Sequence, residues 1–486
     1  MQYDVLLTYP KEKINLFHSM IPMGLASIGA VLEDRHYSVK CIDFNFYHGD
    51  FRRDLHRWKP KIVGIGGTTP TRRGSFLTAV IVKDEMPDVP VVFGGPHATF
   101  TADDTLKHVE HIDYVVRGEG EYSFLQLADL TTGRRSIKPD RVPGISYRKD
   151  GRIEHTRAKR IDNLDSLPLP ARHLFSDHYH IKLDISDKEA EFLMTSRGCS
   201  HVCTFCVAAR MFPGGVRYRS IPSVQKEIET ILSKKDIGAL KIFDSTFTVS
   251  REHVLEFCRM IKPYRLLWEC EIRADTVDYD LLRIMKEAGC AYVDIGLETT
   301  EPSILRDLKK NITPGQVQNV LDWCKKLDIR TKVFFIFGHF GQSYESCKRD
   351  IQFLINHRDK IDLFSTSIGM KIFPGTAIEK KAREAGLIPK RFSWTTWRPP
   401  KWNYLLGDVT DVMFLIQEQL NHIDLFRILI QLLAFRIVGN PEHIKNVLIL
   451  NIKKLFIKLK IRLSYKLYAL KSLQRKASVN LGRIQE

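Results

Sequence analysis

Glu191-Phe192-Leu193-Met194-Thr195-Ser196-Arg197-Gly198-Cys199-Ser200-His201-Val202-Cys203-Thr204-Phe205-Cys206 is the stretch on which the reading turns. Its opening, residues 191–195, reads as a strand that leads into three thiols spaced four and three residues apart. A loop with that spacing wraps one small inorganic group. Three thiolates on a four-iron cluster leave one iron without a protein ligand, open to an outside molecule. The alternative is a structural zinc site completed by His201 or a distant cysteine. Zinc usually joins two close ligands to a second pair about 12–20 residues away, and no second pair follows here.

Outward from this strand, apolar runs recur at 240–243, 268–272, 292–295, 332–337 and 364–368, with helical segments between most of them. Six such units predict a parallel (β/α) barrel left incomplete, since the usual closure takes about eight. Ahead of it, strands at 3–7, 38–43, 62–66, 89–93 and 112–116 alternate with helices at 24–34 and 73–86. That spacing predicts an α/β domain with a Rossmann-like, doubly wound parallel sheet, whose ligands bind at the carboxyl ends of the strands. Lys149-Asp150-Gly151 is a hairpin turn signal inside 145–153, and 164–172 reads as a proline-bearing linker. After Pro400 the strands stop, and 412–438 reads as helical. Further on, Leu448, Ile452, Leu455, Phe456, Leu459, Leu463, Leu467 and Leu470 share one helical face, although 455–463 alternates well enough for a strand. The expected domains are 1–135, a linker with hairpin at 136–185, a barrel at 186–405 and a basic helical region at 406–486.

Composition narrows the class. With 44% hydrophobic and 27% charged residues, the 486-residue chain can bury a core in two or three domains, which excludes wholesale disorder and a disulfide miniprotein. The longest uncharged stretch, 14–32, holds Asn15, His18, Ser19, Pro22 and Ser27, which argues against a membrane span. Nine cysteines, an odd number, and an opening without a basic leader predict a cytoplasmic protein with reduced thiols. Cys41, Cys258, Cys270, Cys290, Cys324 and Cys347 are expected to be inert. The net charge is +17, of which 441–486 supplies +9 from 11 basic and two acidic residues. Lys453, Lys454, Lys458, Lys460 and Arg462 flank the apolar stripe there, which would suit peripheral contact with an anionic membrane and a lipid substrate. Packing back on the barrel, with the lysines in solvent, is the alternative. The rest is only mildly basic, so a nucleic-acid partner is not indicated.

The triplet C-x3-C-x2-C, with Phe205 before its last cysteine and a barrel strand ahead, resembles the signature of the radical S-adenosylmethionine (SAM) enzymes, whose fold is a partial (β/α)6 barrel. The resemblance implies that Cys199, Cys203 and Cys206 are the ligands of a catalytic [4Fe-4S] cluster and that Phe205 packs near the adenine. It also implies reductive cleavage of S-adenosylmethionine to a 5′-deoxyadenosyl radical, with electrons from an external donor such as flavodoxin or ferredoxin. Family analogy gives Glu298 and Arg273 roles on the ribose or carboxylate of S-adenosylmethionine and Asp244 one near its amino group. Lys332, which opens the fifth barrel strand, is a further candidate. A helix cap or salt bridge is the plain alternative for each.

The loops Pro22-Met23-Gly24-Leu25, Gly66-Gly67-Thr68-Thr69, Gly94-Gly95-Pro96-His97 and Arg117-Gly118-Glu119-Gly120-Glu121 resemble those of the cobalamin-binding domain that often precedes this barrel. So does the linker Leu167-Pro168-Leu169-Pro170-Ala171-Arg172. Thr68, Thr69, Gly94, Gly95, Pro96, His97, Gly118 and Glu119 are therefore the candidate cobalamin contacts. The two resemblances together cover roughly residues 1–405. One departure matters. A cobalt-ligating D-x-H-x-x-G pattern would start at Asp43, but Asn45 stands in the place of its histidine and His48 in that of its glycine. The motif supplies no lower axial ligand, and His18, His48 and His97 are left as candidates; a domain that has lost cobalamin is the other outcome.

The resemblance implies a radical methyltransferase that places a methyl group from methylcobalamin on an unactivated carbon of a small-molecule or lipid substrate. Ring closure or rearrangement without methyl transfer, as in anaerobic porphyrin cyclisation, is the alternative. A methylthiotransferase acting on transfer RNA fits poorly, because only Cys41 precedes the triplet. A zinc protein that binds nucleic acid is the remote alternative, lacking paired metal ligands.

Overall fold

Val5, Leu6 and Leu7, and every residue from Ile62 to Gly66, are buried, the pattern of strands covered by helices on both faces. The computed structural model describes residues 2–11, 20–175, 179, 181, 183, 185–398, 413–415 and 420–439. Strands β1 (Val5–Tyr9), β2 (Val39–Asp43), β3 (Ile62–Gly66), β4 (Val91–Gly94) and β5 (Tyr114–Val116) run parallel in the order β2-β1-β3-β4-β5. Helices α1 (Met23–Asp34) and α6 (Glu121–Thr131) fill one face. The other is covered by α2 (Phe51–Trp58), α3 (Arg72–Glu85), α4 (Pro96–Phe100) and α5 (Ala102–His108). The strand order reverses between β1 and β3, so the ligand crevice of such a sheet opens there.

Two expectations need correction. The hairpin β6 (Ile145–Lys149) and β7 (Arg152–His155) turns where expected, with Asp150 and Gly151 both at positive φ. It is not part of a linker, however. β6 pairs antiparallel with β5, because Ile145 and Tyr147 bury there, and the N-terminal sheet becomes a mixed one of seven strands.

The second sheet is parallel throughout and runs in chain order: β8 (Glu189–Leu193), then, after a short antiparallel pair β9 (Ser196–Arg197) and β10 (Arg217–Tyr218), β11 (Ile237–Ile242), β12 (Leu267–Ile272), β13 (Cys290–Glu298), β14 (Arg330–Phe337) and β15 (Leu363–Ile368). It curls into a half-barrel. Ser220, Ser250, Asp278, Thr313 and Ser343 cap the helices between its strands, each side chain accepting from an amide three residues on. Trp268 packs edge-on against Phe247 and Phe257, so β12 turns Trp268, Cys270 and Ile272 to the helices and Glu269 and Glu271 to the concave face.

The segment 412–438 is not helical throughout. β17 (Met413–Leu415) pairs antiparallel with β16 (Met370–Ile372), and the helix runs from His422 to Gly439. A short apolar run does not declare its period, and here an available strand edge decides. A second unit of the chain begins at Phe426. The apolar stripe, the basic residues beyond 440 and His18 lie outside the described residues. No helix among the described residues is long and apolar enough to cross a membrane.

The two sheets are joined by buried polar contacts. Arg72, wholly buried, donates to the carbonyls of Thr69, Trp394 and Trp397, and Asp104 accepts from the amide and hydroxyl of Thr395. At the ends of β3 and β4, Gly67 N–H donates to the Gly94 carbonyl, and Gly95 sits at φ 102°. A Cβ on Gly95 would stand 2.6 Å from Gly67 O. Left-handed strain and the clash together predict that G95A loses about 2–4 kcal/mol, seen as a lowered urea midpoint for the N-terminal domain.

Candidate active site at the cysteine loop

The loop from Cys199 to Cys206 leaves β9 and is pinned by backbone. Thr204 N–H donates to Leu308 O, Cys206 N–H to Cys203 O, and Ile378 N–H to Thr204 O. All nine cysteines are free thiols; Cys41, Cys258, Cys270, Cys290, Cys324 and Cys347 are buried, whereas Cys199 and Cys203 are half-buried and Cys206 exposed. Burial pushes the Cys203 and Cys206 thiols up, and the Lys310 and Arg273 charges pull Cys203 back. The amide of Ala208 donates to Cys206 Sγ at 3.4 Å. An all-sulfur donor set on one exposed loop, with a backbone amide aimed at one sulfur, fits an iron–sulfur cluster.

Asp244, just beyond β11, holds the root of this loop. Its carboxylate is buried and accepts from Thr195 N (2.8 Å) and Oγ1 (2.5 Å) and from Ser196 N (3.1 Å) and Oγ (2.7 Å). Burial raises its pKa and the four donors lower it. Both oxygens are engaged, so Asp244 braces the loop.

Arg273, Glu298 and Phe205 do come together, around a residue the sequence reading missed. Lys310 is 7% exposed, places its Nζ 2.9 Å from Glu298 Oε1 and lies 6.0 Å from the centre of the Phe205 ring. Arg273 donates to Lys310 O at 2.6 Å and is held in a two-pronged pair by Asp275. Glu298 ends β13 at φ 71°, an uncommon state for a residue other than glycine and one that marks sites held by their surroundings. The holding group is buried Asp350, which accepts from Thr299 Oγ1, from Thr300 N and Oγ1, and from Gln342 Nε2. Two buried cations and one carboxylate beside the thiols suit a ligand bearing both a carboxylate and an ammonium or hydroxyl groups. Nothing in Lys309-Lys310-Asn311 distinguishes it from a surface turn except Asn311, a residue that tolerates the left-handed φ it adopts.

Lys332 stands apart. It sits low on β14, 3.8 Å from Asp294, in a concave-face network where Lys241 bonds Glu269 at 2.5 Å and Asp294 at 3.3 Å. Glu119 also departs from expectation. Its carboxylate accepts from Arg197 (2.9 Å), Arg217 (2.7 Å) and the Ile161 amide (2.9 Å), which makes it a brace between the N-terminal domain and the cysteine loop.

The remaining N-terminal candidates cluster at the carboxyl ends of β3, β4 and β5. Thr68 bonds Thr71, Thr69 bonds His97 Nδ1 at 3.1 Å, and Gly118 N–H donates to Thr99 Oγ1. Pro96 starts α4 directly after Gly94 and Gly95. His97 is wholly buried between Phe76 and Phe93; burial, aided by Arg72, lowers its pKa to about 3. The Asp43 loop follows β2, an edge strand one removed from the crevice, and its carboxylate accepts from Asn45 N and Nδ2 and from Tyr179 OH. His48 in that loop is exposed.

A model of the Radical SAM superfamily matches residues 193–354. A model of the B12 binding domain matches residues 14–128. The chain is 32% identical over 374 residues to an uncharacterized methyltransferase of Pyrococcus horikoshii, covering 76% of this chain and 79% of that one. The chain belongs to the cobalamin-binding branch of the radical SAM superfamily. It is also 30% identical over 302 residues to the anaerobic magnesium-protoporphyrin IX monomethyl ester cyclase of Rubrivivax gelatinosus, covering 61% of this chain and 54% of the cyclase. The fold is shared with TsrM, a radical S-adenosylmethionine methyltransferase of Kitasatospora setae solved with cobalamin and a [4Fe-4S] cluster bound (TM-score 0.64, 21% identity, 79% of this chain and 75% of that one). This radical SAM enzyme therefore uses a [4Fe-4S] cluster, S-adenosylmethionine and cobalamin. The zinc and transfer-RNA readings fall away.

Two outcomes test this geometry. D244A leaves four donors unmatched and should lower the iron bound after reconstitution at least twofold, read by iron and sulfide analysis, while Cys258→Ala leaves it unchanged. His97, at about 3, and His253 and His339, at about 4, are held neutral by burial in the folded state. Their folded pKa values lie below the ordinary 6.5, so the stability they carry is complete above pH 6.5 and drains as pH falls toward 4. The urea midpoint should fall over that window, and less steeply in H97F.

Proposed function

We propose that this radical SAM enzyme transfers a methyl group to an unactivated carbon of a small molecule. The carrying observation is the brace between the two domains: Arg197, two residues before Cys199, donates to Glu119 and Glu121 at the foot of the cobalamin-side loops. Sequence kinship to a methyltransferase over 79% of its length supports the same reading. Cys199, Cys203 and Cys206 would hold the cluster; Lys310, Glu298, Arg273 and Phe205 would hold S-adenosylmethionine; Thr68, Thr69, Gly94–His97 and Gly118 would face cobalamin. When bound, these groups supply reducing electrons and a transferable methyl group. The chain's own part is orientation: Asp244 fixes the loop, and Asp350 fixes Glu298 against Lys310. Asn45 and the occupied Asp43 carboxylate argue against a lower cobalt ligand from that loop.

Kinship to the cyclase favours ring closure as the second reading. A lipid substrate, met at a membrane by the basic residues 441–486 of an otherwise cytoplasmic enzyme, is the finer proposal. Anionic vesicles should sediment the full chain and not one ending at residue 440; equal sedimentation overturns that point. For the reaction, reconstituted enzyme with methyl-deuterated S-adenosylmethionine, a reductant and a metabolite extract should yield a metabolite carrying the label, with 5′-deoxyadenosine and S-adenosylhomocysteine. A changed but unlabelled metabolite would favour cyclisation.

A further inference from the structure

The charge beyond the basic C-terminal residues is concentrated in one place. Between 134 and 160 the chain carries Arg134, Arg135, Lys138, Arg141, Arg148, Lys149, Arg152, Arg157, Lys159 and Arg160 against Asp140, Asp150 and Glu154, a net of 10 − 3 = +7. With the +9 of 441–486, this leaves +17 − 16 = +1 for everything else.

Part of this charge lines a cleft of about 690 Å³ between α6 and the linker that follows β7. Arg134, Arg135, Lys159 and Arg160 border it, and Arg35 closes one end. All three of its carboxylates are engaged, against five basic residues in the lining. Glu119 is held by Arg197 and Arg217, and Asp129 accepts from Tyr37 OH at 2.7 Å with Arg135 at 3.9 Å. Asp162 faces solvent and pairs with Arg160 at 3.2 Å. Lys159 is exposed and makes no hydrogen bond or ion pair among the described residues.

The cleft abuts the cysteine loop. Arg160 donates to the carbonyls of Pro213 and Gly214. The next residue, Gly215, presses its carbonyl on Gly198, where a Cβ would stand 2.6 Å away, and Gly198 precedes Cys199. From Arg160 to the backbone of the first cysteine the path is one hydrogen bond and one van der Waals contact.

We propose that this cleft docks an acidic one-electron carrier protein, which inserts an acidic loop between α6 and the linker and delivers its electron toward Cys199. Opposite charge steers the encounter. In the transfer, the carrier is oxidised by one electron and the cluster reduced by one, with no proton or bond change required. The proposal rests on the radical SAM reading.

The test uses reconstituted full-length enzyme and the double variant R135E/K159E, which touches neither the cysteine loop nor the Lys310 site. 5′-Deoxyadenosine formation is followed with reduced flavodoxin, with reduced ferredoxin and with saturating dithionite, and binding of oxidised flavodoxin by calorimetry. The variant should raise the KM for the carriers about tenfold, weaken flavodoxin binding by a similar factor, flatten the salt dependence, and leave the dithionite rate unchanged. Equal loss with carriers and dithionite would assign the cleft to folding or to a small anion and overturn the proposal. So would carrier kinetics and binding that do not change, or a wild type that takes electrons from neither carrier. No 5′-deoxyadenosine with dithionite would sink the enzymatic reading and the proposal with it.

Discussion

Arg197 bonds two glutamates at once, Glu119 and Glu121, and Arg217 completes the set from the neighbouring strand, all four side chains being largely buried. Removing one partner of such a set costs about 3–5 kcal/mol, chiefly because the others are left charged and unpaired. The geometry of the molecule depends on this set. It fixes the loop after β5 to the strand that launches the cysteines, so the crevice of the first sheet and the mouth of the second keep one relation. Arg72 and Asp104 repeat the device at the other end, where each bonds backbone between Trp394 and Trp397.

Much of the architecture was legible. The alternation of apolar runs and helices predicts both sheets, because strands covered on both faces become short continuous hydrophobic runs. The hairpin turn was legible from Asp150-Gly151, but its partner was not: turn chemistry is local, and which edge receives the hairpin is set by burial of Ile145 and Tyr147. The strand at Met413–Leu415 was missed for the same reason.

At the site, spacing alone reveals the thiols, since three ligands on one loop must be near in sequence. Lys310 was hidden because it lies in a loop, its partner Glu298 ends β13, 12 residues earlier, and its burial is tertiary. Glu119 and Asp244 were legible as candidates, while the protein donors that brace them were not. A carboxylate beside a glycine looks alike whether it meets a cofactor or an arginine, and only the count of donors around it, three for Glu119 and four for Asp244, tells them apart.

The bracing of Thr195 and Ser196 by Asp244 bears on assembly. Loops that take shape only around their metal lose conformational entropy at the moment of binding, which is subtracted from affinity. Here the backbone leading to the cysteines is anchored by protein groups alone, and Thr204 by Leu308 and Ile378. Part of the ordering that the cysteine loop needs is therefore supplied by the fold itself, and correspondingly less of it is subtracted from the affinity for iron and sulfide.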